Sequence, residues 1–288
     1  MNALLTLLSL ILCAFIVLAV PTLVVPYSGI YGVVTAFDTS KAVLLCTAIA
    51  LLIGLFSYRQ KPHGSFLLKL FISALLIRML LATIIFVFNK QDFFGGDAMT
   101  YDFFGETLLR GWRGDRYYLS VANRYIGVGQ GTGWGMIYLV AGVYGLIGRN
   151  MLAVQFINGV LGAAAAVVIF LCAHHVFNNL KVARLAAIAV AFYPSLVLWS
   201  SQGLKDGPIV FFLALSILAT LKLGRKLTVN WLAVLVCSLF VLLSLRFYIF
   251  YMIFVAIAGA FIIGAQPFNA RTFIRQTVVI IAVGLALT

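Results

Sequence analysis

Residues 151–177 read MLAVQFINGVLGAAAAVVIFLCAHHVF, an apolar run without a single Asp, Glu, Lys or Arg. As a helix rising about 1.5 Å per residue, such a run outreaches the ~30 Å hydrocarbon core of a bilayer. It decides the fold because runs of its kind recur along nearly the whole chain. Helices are expected at Ala3–Val25, Ala42–Tyr58, Phe66–Asn89, Met151–Phe177, Val182–Ser200, Gly207–Leu223, Trp231–Leu245, Phe247–Gly264 and Phe273–Leu287. No stretch alternates with the period of a strand. The expected class is all-α, a polytopic transmembrane helical bundle of about 8–9 spans, since only helices or closed barrels satisfy their backbone in lipid. The first run lacks a basic leader and a small-residue cleavage site, so it reads as a retained helix. Three parts follow: two amino-terminal helices in 1–58, a membrane core in 59–264 that carries a large external loop at 90–150, and a final helix in 265–288.

The chain is 64% apolar, only 9% of its residues are charged, and its mean hydropathy is +1.13. Its formal charge of +13 would suit nucleic acid, but the positions of the cations exclude that partner. Arg59, Lys61, Lys69, Lys181, Arg184, Lys222, Arg225, Lys226, Arg271 and Arg275 fall at every second helix junction. That is the positive-inside pattern, which puts these junctions and the amino terminus in the cytoplasm. The opposite junctions are short and carry only Lys41, Lys205 and Arg246, and the loop 90–150 lies with them outside. Cys13, Cys46, Cys172 and Cys237 all fall within spans and read as small packing residues. His63, His174 and His175 lie at headgroup level, and no metal-ligand spacing is present.

Five of the seven acids, Asp92, Asp97, Asp102, Glu106 and Asp115, crowd into the external loop. Charge in so apolar a chain gathers where water or another charge meets it. Tyr101, Phe104 and Leu108 recur at helical spacing, while Asp102, Glu106 and Arg110 form an i, i+4 ladder on another face. The pattern predicts an amphipathic interfacial helix ending near Gly111, with the ladder as a solvated face. Asp97 follows two glycines and stands where an N-cap belongs; its place at the bilayer surface also suits a catalytic acid. A second interfacial helix is expected from about Trp134 to Ile147. Between them runs a polar crossing with Arg113, Arg116 and Arg124, which with Arg110 suit a phosphate group, either of a bound donor or of lipid headgroups. The alternating glycines 127, 129, 131, 133 and 135 lack a following Gly-Lys-Ser/Thr and read as flexible or closely packed chain. Lys205-Asp206 reads as a helix start with a local ion pair, and Arg246 as a snorkelling cation. All three share the outer face with Asp97.

The order of these features resembles the membrane-embedded C-type glycosyltransferases, in particular the bacterial protein mannosyltransferase and aminoarabinose transferase branch. The features are Gly96-Asp97-x-x-x-Tyr101, Leu108-Leu109-Arg110-Gly111, Tyr144-Gly145-Leu146-Ile147-Gly148, Gln155 with Asn158, the basic turn Lys181–Arg184, Tyr193-Pro194-Ser195 and Asp206. The resemblance covers about residues 66–250. It implies a polyprenyl phosphate or pyrophosphate sugar donor, transfer with inversion, Asp97 as catalytic base and Asp206 as a second catalytic acid. Substrate contacts would fall on Tyr101, Arg110, Arg113, Arg116, Arg124, Lys205 and Arg246. The implied acceptor is a glycan, lipid or protein outside the bacterial inner (plasma) membrane. Ala98 stands where the family often has a second acid. No cofactor is read from the residues, and a divalent cation stays open. Arg78, a charge inside an apolar run, keeps a transporter or lipid flippase open as an alternative, as well as a non-catalytic assembly subunit.

Overall fold

The computed structural model describes residues 27–29, 32–88, 90–91, 96–125 and 133–263, with isolated positions at 274, 277–278 and 281. The first and last expected runs, Ala3–Val25 and Phe273–Leu287, therefore lie outside the described residues, wholly or nearly so. The other expected runs are helical over nearly all of their described residues, with one break at Tyr193. The helices are α1 (Ala36–Arg59), α2 (Gly64–Val87), α3 (Asp97–Trp112), α4 (Arg116–Tyr125), α5 (Trp134–Ile147), α6 (Met151–Phe177), α7 (Leu180–Phe192), α8 (Pro194–Ser200), α9 (Asp206–Arg225), α10 (Val229–Leu245) and α11 (Phe247–Ile263). A small antiparallel ribbon, β1 (Tyr27–Gly29) against β2 (Gly32–Val34), precedes α1. The fold is an all-α bundle.

α6 is the axis of the bundle, packed by α1, α2, α7 and α9. Its small residues Gly159, Gly162 and Ala163–Ala166 allow that approach, since tight helix packing within a membrane depends on small side chains. Ala163, Ala164, Ala165 and Ala166 are all buried. α1 begins earlier than the apolar pattern suggests, at Ala36. Thr35 accepts from the Asp38 backbone N–H at 3.2 Å and Asp38 accepts from that of Thr35 at 3.3 Å, a reciprocal cap that lies ahead of the hydrophobic run.

α1, α2, α6 and α9 are long and apolar enough to cross a membrane. The span expected as one helix at Val182–Ser200 is broken: α7 and α8 meet at Tyr193 with a bend of 52°. Pro194 explains the break, because it lacks an N–H and crowds the preceding turn. α10 and α11 have 17 residues each, about 25 Å of helix, a little short of the core thickness.

The described residues of the segment 90–150 hold three helices where two are expected. The expected arginine-rich crossing is itself α4, started by Asp115, whose carboxylate accepts from the backbone N–H of Tyr117 at 3.0 Å and of Tyr118 at 3.4 Å. α3 and α5 pack together, and α4 folds back along α3. Two bonds fasten the end of α5 to the start of α1: Asn150 Nδ2 donates to the Asp38 carbonyl at 2.7 Å and Lys41 Nζ to that of Ile147 at 3.4 Å.

Candidate active site

Asp97 opens α3, one position later than the expected cap. Gly96 holds the cap position and has no side chain to offer, so Asp97 contributes charge at the positive end of the helix rather than a capping bond. Its side chain is exposed and makes no hydrogen bond or ion pair among the described residues.

One turn on, Tyr101 is the meeting point of two distant parts of the chain. It is 6% exposed, and the Lys205 ammonium lies 5.7 Å from its ring centre. Burial pushes its hydroxyl up to about 12, aided by the charges of Asp97 and Asp206 and opposed by Arg246. The phenol therefore keeps its proton at neutral pH and can donate to an incoming oxygen. Gly133 completes this corner in a left-handed conformation at φ 90°. A Cβ there would lie 3.2 Å from the Tyr101 hydroxyl and 3.3 Å from the Lys205 ammonium. Two residues further, at Gly135, a Cβ would meet Ser244 Oγ at 2.2 Å. Close packing is thus the role of the part of the glycine alternation that is described.

Lys205 and Asp206 are placed by a turn buried in the bundle. Asn158 of α6 donates through Nδ2 to the Gln202 carbonyl at 2.7 Å and the Leu204 carbonyl at 2.6 Å. These bonds satisfy carbonyls that would otherwise be stranded away from water. The local Lys205–Asp206 ion pair expected from sequence does not form. Asp206 pairs instead with Arg246, at 3.4 Å, from the junction of α10 and α11. Lys205, 8% exposed, turns to Tyr101. Arg246 is held by a partner rather than merely snorkelling.

The loop arginines do not gather at this point. Arg110 lies roughly 20 Å along α3 from Asp97 at about 1.5 Å per residue. It donates to Glu106 at 2.7 Å and sits over the Tyr118 ring at 4.9 Å. Arg113 and Arg116 are exposed at that same far end. Arg124 comes back toward the site, because the ring of its neighbour Tyr125 meets that of Phe104 at 6.4 Å, about halfway along α3.

Asp102 departs from the expected solvated ladder. It is 2% exposed, accepts from the Tyr144 hydroxyl at 2.5 Å, and pairs with the Arg149 guanidinium. Burial and then the Asp102 charge hold the Tyr144 phenol well above its usual range. Neither partner carries a bonding signal in the sequence, since Tyr144 reads as one aromatic among many in an apolar helix.

Asp206 of this corner and Arg78 of α2 both line one small cleft. The only sequence signal for it is Arg78, a charge in mid-run. Among the described residues no three His, Cys, Asp or Glu side chains come together as a metal site.

Residues 134–288, more than half of the chain, match the family described as dolichyl-phosphate-mannose-protein mannosyltransferase. The matched stretch begins at the first residue of α5, so it includes Lys205, Asp206 and Arg246 and follows Asp97. No curated protein and no solved structure matches the chain.

Proposed function

The chain belongs to the dolichyl-phosphate-mannose-protein mannosyltransferase family, and on that premise we propose that it moves a sugar from a polyprenyl phosphate or pyrophosphate to an acceptor hydroxyl outside the membrane. Glycosyl transfer from a lipid-linked donor, within a membrane, comes with the family. The inverting course, Asp97 as base, and an extracytoplasmic site at the inner (plasma) membrane are the additions made here. The acceptor is a glycan, lipid or protein that presents its hydroxyl from water.

The acceptor oxygen attacks the anomeric carbon opposite the phosphate. As the new C–O bond forms, the hydroxyl proton passes to the Asp97 carboxylate. The bond from the anomeric carbon to the phosphate oxygen breaks, and its electron pair leaves with the phosphate. Lys205 and the Tyr101 phenol donate to the departing oxygens, where charge builds and where the surrounding buried surface strengthens its stabilisation. Asp206, fixed by Arg246, accepts from the hydroxyls of the sugar.

The observation that carries this reading is the convergence on Tyr101. Asp97 lies in α3, Lys205 and Asp206 at the head of α9, and Arg246 before α11, yet the charges of Asp97, Asp206 and Arg246 all act on one phenol and Lys205 sits over its ring. The test is Asp97→Asn in the full chain, assayed in native membranes with a labelled polyprenyl-linked sugar. Transfer should fall by about a hundredfold or more while donor binding persists. Near-normal transfer would remove Asp97 as the base.

A further inference from the structure

α2 is long and apolar enough to cross a membrane, yet it carries Arg78 about 13 Å short of its outer end, at about 1.5 Å per residue. The residue is 1% exposed. A guanidinium keeps its proton in a protein, and a buried cation is costly unless its donors are met. Arg78 meets three acceptors, all neutral. Its Nε donates to Ser200 Oγ at 2.8 Å, and its Nη1 to the carbonyls of Ala74 at 3.0 Å and Ala191 at 2.8 Å. Ala74 is one turn back on α2 itself. The other two lie on either side of the break in the neighbouring span, Ala191 near the end of α7 and Ser200 at the end of α8.

The break explains why these partners are available. Pro194 has no N–H to give back to α7, and the last carbonyls of a helix lack helical donors. Arg78 supplies a donor to one of them, Ala191. Through Nε it also holds the far end of α8, so one planar guanidinium fixes both arms of the 52° bend. Ser200 passes the constraint on. A Cβ at Gly162 of α6 would lie 2.6 Å from Ser200 Oγ, and one at Gly207 of α9 would lie 3.4 Å from Ser200 Cβ. Ser200 is therefore wedged between the axis of the bundle and the first turn of α9, next to Asp206. Asn158 grips the same turn through the carbonyls of Gln202 and Leu204, so the turn is anchored from α6 and from α2. Arg78 and Asp206 line one small cleft but make no bond to each other. Arg78 bears on Asp206 through the turn between them.

We infer that Arg78 is a positioning residue for the transfer reaction: by clamping the broken span at Ala191 and Ser200, it fixes the turn that presents Lys205 and Asp206. The inference rests on the lipid-linked-donor reading and adds to it a residue that touches neither donor nor acceptor.

The test compares variants of the full chain in nanodiscs, by initial rates of transfer from a labelled polyprenyl-linked sugar and by hydrogen exchange of the backbone over 200–206. Arg78→Gln should lower kcat/KM by about a hundredfold, the scale of a misplacement of about 1 Å. Beside Asp206→Asn it should add about tenfold or less, because one of the groups that it places is already lost. Ser200→Ala, which cuts one bond and leaves the cation in place, should cost about tenfold. Both variants should speed exchange over 200–206 by about tenfold or more and leave α6 protected. The same loss with and without Asp206→Asn would make Arg78 a support of the fold as a whole and overturn the inference. So would near-normal transfer in Arg78→Gln, or unchanged exchange over 200–206. If Arg78→Gln does not fold, Ser200→Ala decides alone, and unchanged transfer overturns the inference. If the unaltered chain transfers no sugar, the lipid-linked-donor reading falls, while exchange over 200–206 still decides whether Arg78 sets the turn.

Discussion

The Tyr144 hydroxyl donates to the Asp102 carboxylate at 2.5 Å, and this bond joins α5 to α3 beneath the loop surface. Arg149, just past α5, pairs with the same carboxylate. Together they fix the helix that presents Asp97 and Tyr101, so Asp102 acts on the site through position rather than contact.

Removing that carboxylate should therefore cost stability. Asp102→Ala strands the buried Tyr144 phenol and removes one partner of the Arg149 guanidinium, and should lower unfolding stability by about 2–4 kcal/mol. Glu106→Ala, one turn on and part of a more exposed pair with Arg110, should change it by about 0.5 kcal/mol or less. Unfolding of the purified full chain in a denaturing detergent series measures both. Equal effects would return Asp102 to the solvated ladder.

Gly133 keeps Tyr101 and Lys205 in reach of each other. Gly133→Ala forces a Cβ between them at a positive φ, with strain of about 1–3 kcal/mol. The expected result is a chain that still inserts and folds but loses most transfer, with kcat falling more than donor affinity. Unaltered turnover would mean that the Tyr101–Lys205 pairing is not used in the reaction.

The arginines of the loop should separate by position. Arg124→Ala should weaken binding of the lipid-linked donor by about tenfold, whereas Arg113→Ala and Arg116→Ala should change it about twofold or less. Titration of the donor into each purified variant reads the difference. Equal small losses at all three would mark them as contacts to bulk headgroups.

Topology can be read by thiol labelling. Single cysteines at Ser120, exposed on α4, and Asn230, exposed at the start of α10, are introduced into an otherwise cysteine-free chain. A membrane-impermeant reagent on intact cells should label position 120 and spare position 230, as the positive-inside distribution requires. The reverse pattern would put Asp97 in the cytoplasm and end the case for an outward-facing site.

The sequence by itself determined the class of the fold and the helices α1, α2, α6, α9, α10 and α11. Apolar runs such as 151–177 have one stable form in a bilayer, because the backbone must satisfy itself within the segment. It also determined α3 and α5, whose ends follow within a residue or two from spacing and glycines, and it singled out Asp97, Tyr101, Lys205, Asp206 and Arg246 as candidates for one site. The break at Tyr193 was legible in Pro194 but yielded to the continuous apolar run around it. Only the tertiary structure decided which charges meet. The partner of Asp206 is Arg246 and not its neighbour Lys205, Asp102 turns inward to Tyr144 and Arg149, and Arg78 lines a cleft with Asp206 although well over a hundred residues of chain separate them. Spacing along a chain constrains only neighbours on the same helix. Contacts between helices depend on how α6 lets its neighbours approach, and on single amides such as that of Asn158 holding a buried turn in place, which no local pattern encodes.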